Sequence, residues 1–506
     1  MTFRFLPIEF DTQGLGRLRI DPVTRTSSRL SLEVTIDFAS RRVVEARVER
    51  QELWHPEQMV VDRAPSDGAW LMSRTQGNGS AAHAIAAVMA LEMAYGVEPP
   101  SLAVATRGIG AAAELIAIHT RQLFLGVGPD YSESTISRTN IAIWRAAQMA
   151  RAAGQVFHGY RTIADIMRGM NPIVGHLYRE SLHLTRVACE VATLLFGKYP
   201  HPSALFPAGV GIVANRQLFQ QVLGRFNRLL DYAKKVTAIW DDLTLFLTST
   251  DERFGQSGRW RGGILSLGLW DDPQSGNGSA SLGQRAARRY ASPGLIVDGR
   301  LRTDDLEAIR SNLAAETRPS LESGALARLW VTALARKMRN EFIECQQCDN
   351  RSSLMFDLPG FQIPATFLAW QEPDAATTLE RNRARAYQIA YASLVALTYL
   401  LRSFETLERG SKAMSVRYSV PDEASGIGLW EAPSGSIIHR LAIEGRRLRN
   451  YRVETSESWL QAQTNDSQRL DAIEQSLINT PLVEEFTGPE SFTGIDLLRV
   501  VRGFDC

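Results

Sequence analysis

The sequence predicts an α+β fold that is predominantly α, with a core of long bundled helices and peripheral β-hairpins and small sheets. Three observations predict it. Apolar residues recur at helical spacing over long windows, as at Leu218, Val222, Phe226, Leu229 and Leu230 and again at Leu394, Leu397, Leu400 and Leu401. Strict alternation is confined to short stretches, of which Leu30, Leu32, Val34 and Ile36 form the clearest. No repeat of solenoid period is visible. With 506 residues, 44% of them hydrophobic, the chain can bury a large core.

In chain order, Leu30 to Ile36, a turn near Ala39-Ser40-Arg41-Arg42 and a return through Val44, Ala46 and Val48 predict a β-hairpin. Ser80 to Tyr95 is rich in Ala, Met and Leu and is followed by Gly96 and Pro99-Pro100, which predicts a buried helix with a defined stop. Further helices are expected over about 136–153, 178–196, 216–247 and 378–407. Gly, Ser, Asn, Asp and Pro dominate 257–292, which reads as a surface excursion. Strand-like stretches return at 354–359 and 440–452. These elements are expected to make one unit. Its sub-regions are 1–60, the hairpin region; 61–250, the first half of the helical core; 251–310, the excursion; 311–410, the second half of the core; and 411–506, a β-containing end.

The 56 basic and 55 acidic residues nearly cancel, which removes any electrostatic reason to expect nucleic acid or an anionic membrane as main partner. No apolar run is expected to span a bilayer, and the first residues lack the apolar core of a secretory signal, so the cytoplasm is the expected compartment. Four cysteines in so long a chain argue against a disulfide framework.

Arg74 to Ala84 reads R-T-Q-G-N-G-S-A-A-H-A. Upstream stands Ile20-Asp21-Pro22-Val23-Thr24-Arg25. Downstream come His158-Gly159-Tyr160-Arg161-Thr162-Ile163, Lys198-Tyr199-Pro200-His201-Pro202 and Phe206-Pro207-Ala208-Gly209-Val210. Val297-Asp298-Gly299, Leu379-Glu380-Arg381-Asn382-Arg383-Ala384-Arg385 and Glu431-Ala432-Pro433-Ser434-Gly435 follow. In this order the motifs resemble the large subunit of NiFe-hydrogenases, in the flavour of the actinobacterial-type uptake enzymes, over nearly the whole chain. The resemblance implies a hydrogenase large-subunit-like fold for residues 1–506.

The departures fall on the chemistry. The family's first motif is R-x-C-G-x-C-x-x-x-H-A, whose two thiolates hold a nickel-iron centre; Gln76 and Gly79 occupy those positions here. An amide is a weak neutral ligand and glycine offers none. Where the family's E-A-x-R-G motif places an arginine over the iron's diatomic ligands, Ser434 stands, with neither its charge nor its reach. The second cysteine pair, from D-P-C-x-x-C, is represented at best by Cys506. Neither nickel insertion nor proteolytic maturation is therefore expected to have a substrate. The resemblance also implies a proton-relaying glutamate in an R-G-x-E segment. Counting back from Arg74 places Glu57 there without the arginine or glycine, and a surface glutamate is the plainer reading. His83 would neighbour the metal pocket; with the thiolates lost, a packed or capping histidine is preferred.

Weaker candidates remain. Cys345-Gln346-Gln347-Cys348 lacks the partners of a zinc or redox site, so reduced, unpaired thiols are expected, with metal binding together with Cys506 the lesser alternative. Cys189 reads as core. Gly108-Ile109-Gly110 and Gly209-Val210-Gly211 lack a third glycine and read as turns. His201, between prolines, reads as a rigid loop residue. Asp241-Asp242 and the trio Arg381, Arg383 and Arg385 read as solvated helix faces.

Three functions follow from the resemblance. In the first, the chain is a non-catalytic pseudo-subunit or accessory protein, without cofactor, that pairs with an iron-sulfur small subunit or with hydrogenase maturation proteins. In the second, it is a maturation scaffold that carries the Fe(CN)2CO group, with Cys506, Cys345 and Cys348 as ligand candidates. In the third, it is an oxidoreductase with another cofactor in the vacated pocket formed by Glu57, Gln76, Gly79, His83 and Ser434.

Overall fold

The computed structural model describes residues 8–23, 29–51, 56–74, 78–273, 286–313, 318–337, 340–461 and 470–504. The first sheet comprises β1 (Ile8–Phe10), β2 (Gly16–Ile20), β3 (Arg29–Asp37) and β4 (Arg42–Gln51), antiparallel in sequential order. Helices follow: α1 (Pro56–Val60), α2 (Pro65–Met72), α3 (Ser80–Tyr95), α4 (Ser101–Arg121), α5 (Glu133–Thr139), α6 (Ile141–Met149), α7 (Gln155–His158), α8 (Ile163–Gly169) and α9 (His176–Phe196). A short hairpin, β5 (Leu205–Phe206) with β6 (Gly209–Val210), leads to the long α10 (Arg216–Thr250).

The second half contains β7 (Gly263–Leu269), β8 (Ala291–Val297), β9 (Arg300–Thr303), α11 (Leu306–Leu313), β10 (Leu321–Glu322) and α12 (Ala325–Ala335). Then come β11 (Ile343–Cys348), β12 (Arg351–Leu358), β13 (Thr366–Gln371), α13 (Thr378–Glu408), β14 (Glu423–Ala432), β15 (Gly435–Glu444) and β16 (Arg447–Glu454). The chain finishes with α14 (Ser456–Leu460), α15 (Ala472–Leu477) and α16 (Ile495–Gly503). About 48% of the structure is helical and 23% is strand, so helix predominates within an α+β fold.

Helices α4, α9, α10 and α13 pack together as the core. Residues Leu30, Leu32, Val34 and Ile36 of β3 are all buried, as their alternation requires. On β4 a bulge beside Thr35 and Ile36 shifts the register, so Val43 is buried while Val44 is exposed, which corrects the inward face expected from Val44. Strand β14 lies against α3. A Cβ on Gly426 or Gly428 would fall 1.9 or 1.8 Å from the carbonyl oxygens of Ala90 or Ala86, so only glycine permits that approach.

Several expectations are corrected. The helix expected over 136–153 is two, broken at Asn140, whose side chain donates to the Val483 carbonyl and accepts from Thr139 Oγ1. Gly108-Ile109-Gly110 is not a turn but lies inside α4. Added Cβ atoms there would meet the Tyr399 and Phe196 rings at 2.1 Å, so the glycines serve helix packing. Within the expected surface excursion, β7 is buried along its whole length and β8 along most of it; residues 274–285 lie outside the described residues. Arg381 and Arg385 are buried rather than solvated, because Glu322 and the Gly258 and Gly503 carbonyls satisfy them. Asp242 is likewise buried, against His158 Nε2 and the Gly154 amide, and half-buried Asp241 holds Arg383 and Tyr387. Contrary to the expectation of no bilayer-length apolar run, the segment Ser101–Thr139 is long and apolar enough by length and composition to cross a membrane; 89% of its apolar window is buried inside the protein, as in a core helix.

Candidate functional site

Helix α3 begins at Gly79, which caps it in the left-handed region at φ 86°. A Cβ here would meet Ala432 Cβ at 3.2 Å and Pro433 Cδ at 3.5 Å, so both the backbone and the space favour glycine. The helix supplies no capping side chain of its own. Glu114, reaching across from α4, accepts instead from the amides of Ala81 and Ala82 and from Ser80 Oγ. Burial pushes the Glu114 carboxyl up, against those hydrogen bonds. His201 ties the preceding loop down: its amide donates to Ser80 Oγ, and its Nδ1 lies 2.8 Å from the Ser73 carbonyl oxygen. Arg74 stacks 3.5 Å over Trp70 and donates to the Trp70 carbonyl. Gln76 and Gly77 lie outside the described residues.

One turn into α3, His83 is buried, and its Nδ1 lies 3.0 Å from Nε2 of His439 on β15. Nδ1 of His439 lies 2.8 Å from Tyr451 Oη on β16. Burial holds His83 down at about 4 and His439 well below its ordinary value, with His83 a further cause for the latter. Both rings are therefore neutral near pH 7. Burial raises the Tyr451 phenol, and Glu57, half-buried on α1, adds to it in the same direction.

The Glu431–Ser434 loop is held by Arg328 of α12, a fully buried guanidinium. It donates to Glu431 Oε2 and to the Ala432 and Pro433 carbonyls, each at 3.0 Å, and to Gln388 Oε1. Its Nη2 also lies 3.5 Å from His119 Nε2, and burial followed by the Arg328 and Arg385 charges lowers that histidine. Ser434 is half-buried and its hydroxyl accepts from Ser456 Oγ.

The third wall is α16. Arg502 donates from Nη1 to both carboxylate oxygens of Asp130, at 2.7 and 2.8 Å, while Arg499 pairs with Asp496 and donates to the Asp130 carbonyl. Arg385 donates to the Gly503 carbonyl, and Arg381 stacks 3.8 Å over the Phe504 ring. Cys506 lies outside the described residues. Between Ser434, Arg381, Arg385 and Phe504 the described walls leave a cavity of about 20 Å³, which is room for about one water.

Glu57, Gly79, His83 and Ser434 thus fall at different points around these walls, and the packing residues that hold the walls together are Glu114, His119, Arg328 and His439. Nothing in local spacing marks the latter four, because each acts on a segment distant in sequence. Cys345 is half-buried on β11 with Sγ 3.6 Å from the Thr332 carbonyl oxygen. Among the described residues no group of three or more His, Cys, Asp or Glu side chains is placed to hold a metal ion.

The glycine-capped helix, the E-A-P-S-G loop it faces and the buried helix α16 beside them sit in a fold shared with hydrogenase large subunits, which gives the class of protein. Residues 320–506 match the family model described as nickel-dependent hydrogenase. An actinobacterial-type NiFe-hydrogenase from Ralstonia eutropha H16 superposes with a TM-score of 0.90 at 30% identity, covering 97% of this chain and 98% of that one. The chain belongs to the NiFe-hydrogenase large-subunit family. It is also 21% identical to the periplasmic NiFeSe hydrogenase large subunit of Desulfomicrobium baculatum, over 97% of this chain and 94% of that protein. The uptake hydrogenase large subunit of Rhodobacter capsulatus is 23% identical over 99% and 95%. The NiFeSe hydrogenase structure from D. vulgaris Hildenborough, at 20% identity and a TM-score of 0.70 over 97% and 98%, shares the fold.

Among the described residues, those on these walls do not fit the family's nickel-iron group. Gly79 offers no ligand atom, its backbone and surroundings resist a side chain, and Ser434 brings no charge to the opposite wall.

Proposed function

We propose that this chain is a non-catalytic large-subunit-like protein, a pseudo-subunit or accessory protein that pairs with an iron-sulfur small subunit or with hydrogenase assembly proteins in the cytoplasm. The observation that carries the reading is Gly79: a glycine in the left-handed region, closed over by Ala432, stands where the family motif has a thiolate. Loss of ligands leaves the means of association intact, since interface energy comes from packed surface rather than from a metal. Apolar side chains available for association include Met149, Val156, Ile173 and Val174, each at least 70% exposed.

The test is coexpression with an iron-sulfur small subunit and, separately, with hydrogenase assembly proteins. Stable copurification with either, without hydrogen-dependent dye reduction, is the expected result. Hydrogen turnover by the complex, or failure to associate with both kinds of partner, would overturn the reading. Infrared bands from cyanide and carbonyl on iron, lost in Cys506→Ser, would transfer the proposal to the scaffold role.

A further inference from the structure

A second cleft, of about 400 Å³, opens where the start of β4, the 256–261 segment and the end of α15 meet. Its lining includes three guanidiniums, Arg42, Arg259 and Arg261, and no carboxylate. All three are exposed, and among the described residues none has an ion-pair partner. Neighbouring arginines behave differently: Arg50 pairs with Asp471, Arg253 pairs with Asp251, and Arg41 donates to the Glu484 carbonyl. Three like charges gathered without an acid are electrostatically unfavourable unless an anion joins them.

A second, independent feature lies in the same cleft. Ser476 is 1% exposed, yet its Oγ has no hydrogen-bond partner. A buried hydroxyl without a partner is costly, and here it belongs to a residue that lines the same cleft as the three arginines. The three segments are tied together. The Asn479 amide donates to the Val43 carbonyl, the Gly258 amide donates to Thr480 Oγ1, and the Trp260 amide donates to the Ala376 carbonyl. The cleft is therefore held in shape before any ligand arrives.

We propose that this cleft binds a small molecule through a phosphate or diphosphate group, with Arg42, Arg259 and Arg261 supplying charge and paired donors and Ser476 a hydroxyl donor. Guanidinium forks match phosphate oxygens two at a time, and a concave cleft with an unpartnered hydroxyl just beneath its wall suits a compact anion better than a broad macromolecular surface. The volume falls within the range of small-ligand sites and suits a phosphate carried on a body of about nucleotide size. The proposal is independent of the metal pocket's fate.

Titration calorimetry of the full chain with pyrophosphate and with ADP tests it. Saturable binding of at least one is expected, weakening with salt. The Arg259→Gln/Arg261→Gln variant should lose about tenfold or more in affinity. Ser476→Ala, which removes an already unpartnered hydroxyl, should leave the circular dichroism spectrum unchanged and weaken binding several-fold by roughly the worth of one hydrogen bond. Tighter binding of ADP assigns a nucleotide, and tighter binding of pyrophosphate assigns a free phosphate. Absence of saturable binding of both, binding indifferent to the double variant, or tighter binding of a polyglutamate peptide would overturn the proposal.

Discussion

Arg328 Nη1 donates to Glu431 Oε2 across 3.0 Å, and both side chains are fully buried. This pair fixes the loop that faces Gly79, because the same guanidinium also holds the Ala432 and Pro433 carbonyls. Removing one partner strands the other charge. Arg328→Met or Glu431→Leu should each destabilise the chain by about 3–5 kcal/mol, measured by denaturant unfolding. The double variant should cost less than the two single costs added together, since it leaves no unpaired charge.

Gly79→Cys restores a thiol at the family's position but not a ligand site. The left-handed backbone and the 3.2 Å contact with Ala432 Cβ both oppose it. A loss of roughly 1–3 kcal/mol is expected from the backbone conformation, read as a lowered Tm. Nickel content should stay at background in the same variant.

Gly108 and Gly110 let α4 approach α13 and α9. Adding a methyl at either, as Gly108→Ala or Gly110→Ala, drives a Cβ into the Tyr399 or Phe196 ring. Each should destabilise by about 1–3 kcal/mol in thermal or denaturant melts, the usual cost of overpacking a filled core.

Stability should depend on pH through His83 and Glu484, with opposite signs. His83 is held at about 4 in the folded chain against an ordinary 6.5, so the unfolded chain takes up its proton first. Its contribution is complete above pH 6.5 and is lost as pH falls toward 4, amounting to roughly 3 kcal/mol. His439 is displaced in the same direction. Glu484 is pushed up to about 7 by burial and then by Asp496, so its contribution is present at low pH and is lost as pH rises from about 4.5 to about 7. In Glu484→Gln, one of the opposing contributions is removed, those of buried Glu114 and of other raised carboxyls remaining. Urea unfolding of that variant should show stability falling between pH 6.5 and 4, and His83→Gln added to it should make the slope shallower, His119 and His439 supplying the remainder.

Much of the fold was legible because local signals and tertiary structure agree. The helix Ser80–Tyr95 has the predicted bounds: Gly96 takes the left-handed conformation that ends it, and its apolar content is buried. The turns expected at Gly108-Ile109-Gly110 failed because glycine has two uses, and here small size mattered rather than backbone freedom. The burial of Arg381 and Arg385 leaves no local signal, because their partners Glu322 and Gly503 are far away in sequence. At the site, the missing thiolates were legible at Gln76 and Gly79 by motif. The walls were not, since the joining of Arg328 to Glu431 and of His83 to His439 follows from the packing of distant elements.

Nickel quantification tests the central claim most directly. The chain, coexpressed with a small subunit and a full set of hydrogenase maturation proteins and purified as the complex, should contain only background nickel by plasma mass spectrometry. Stoichiometric nickel in that complex would contradict the account.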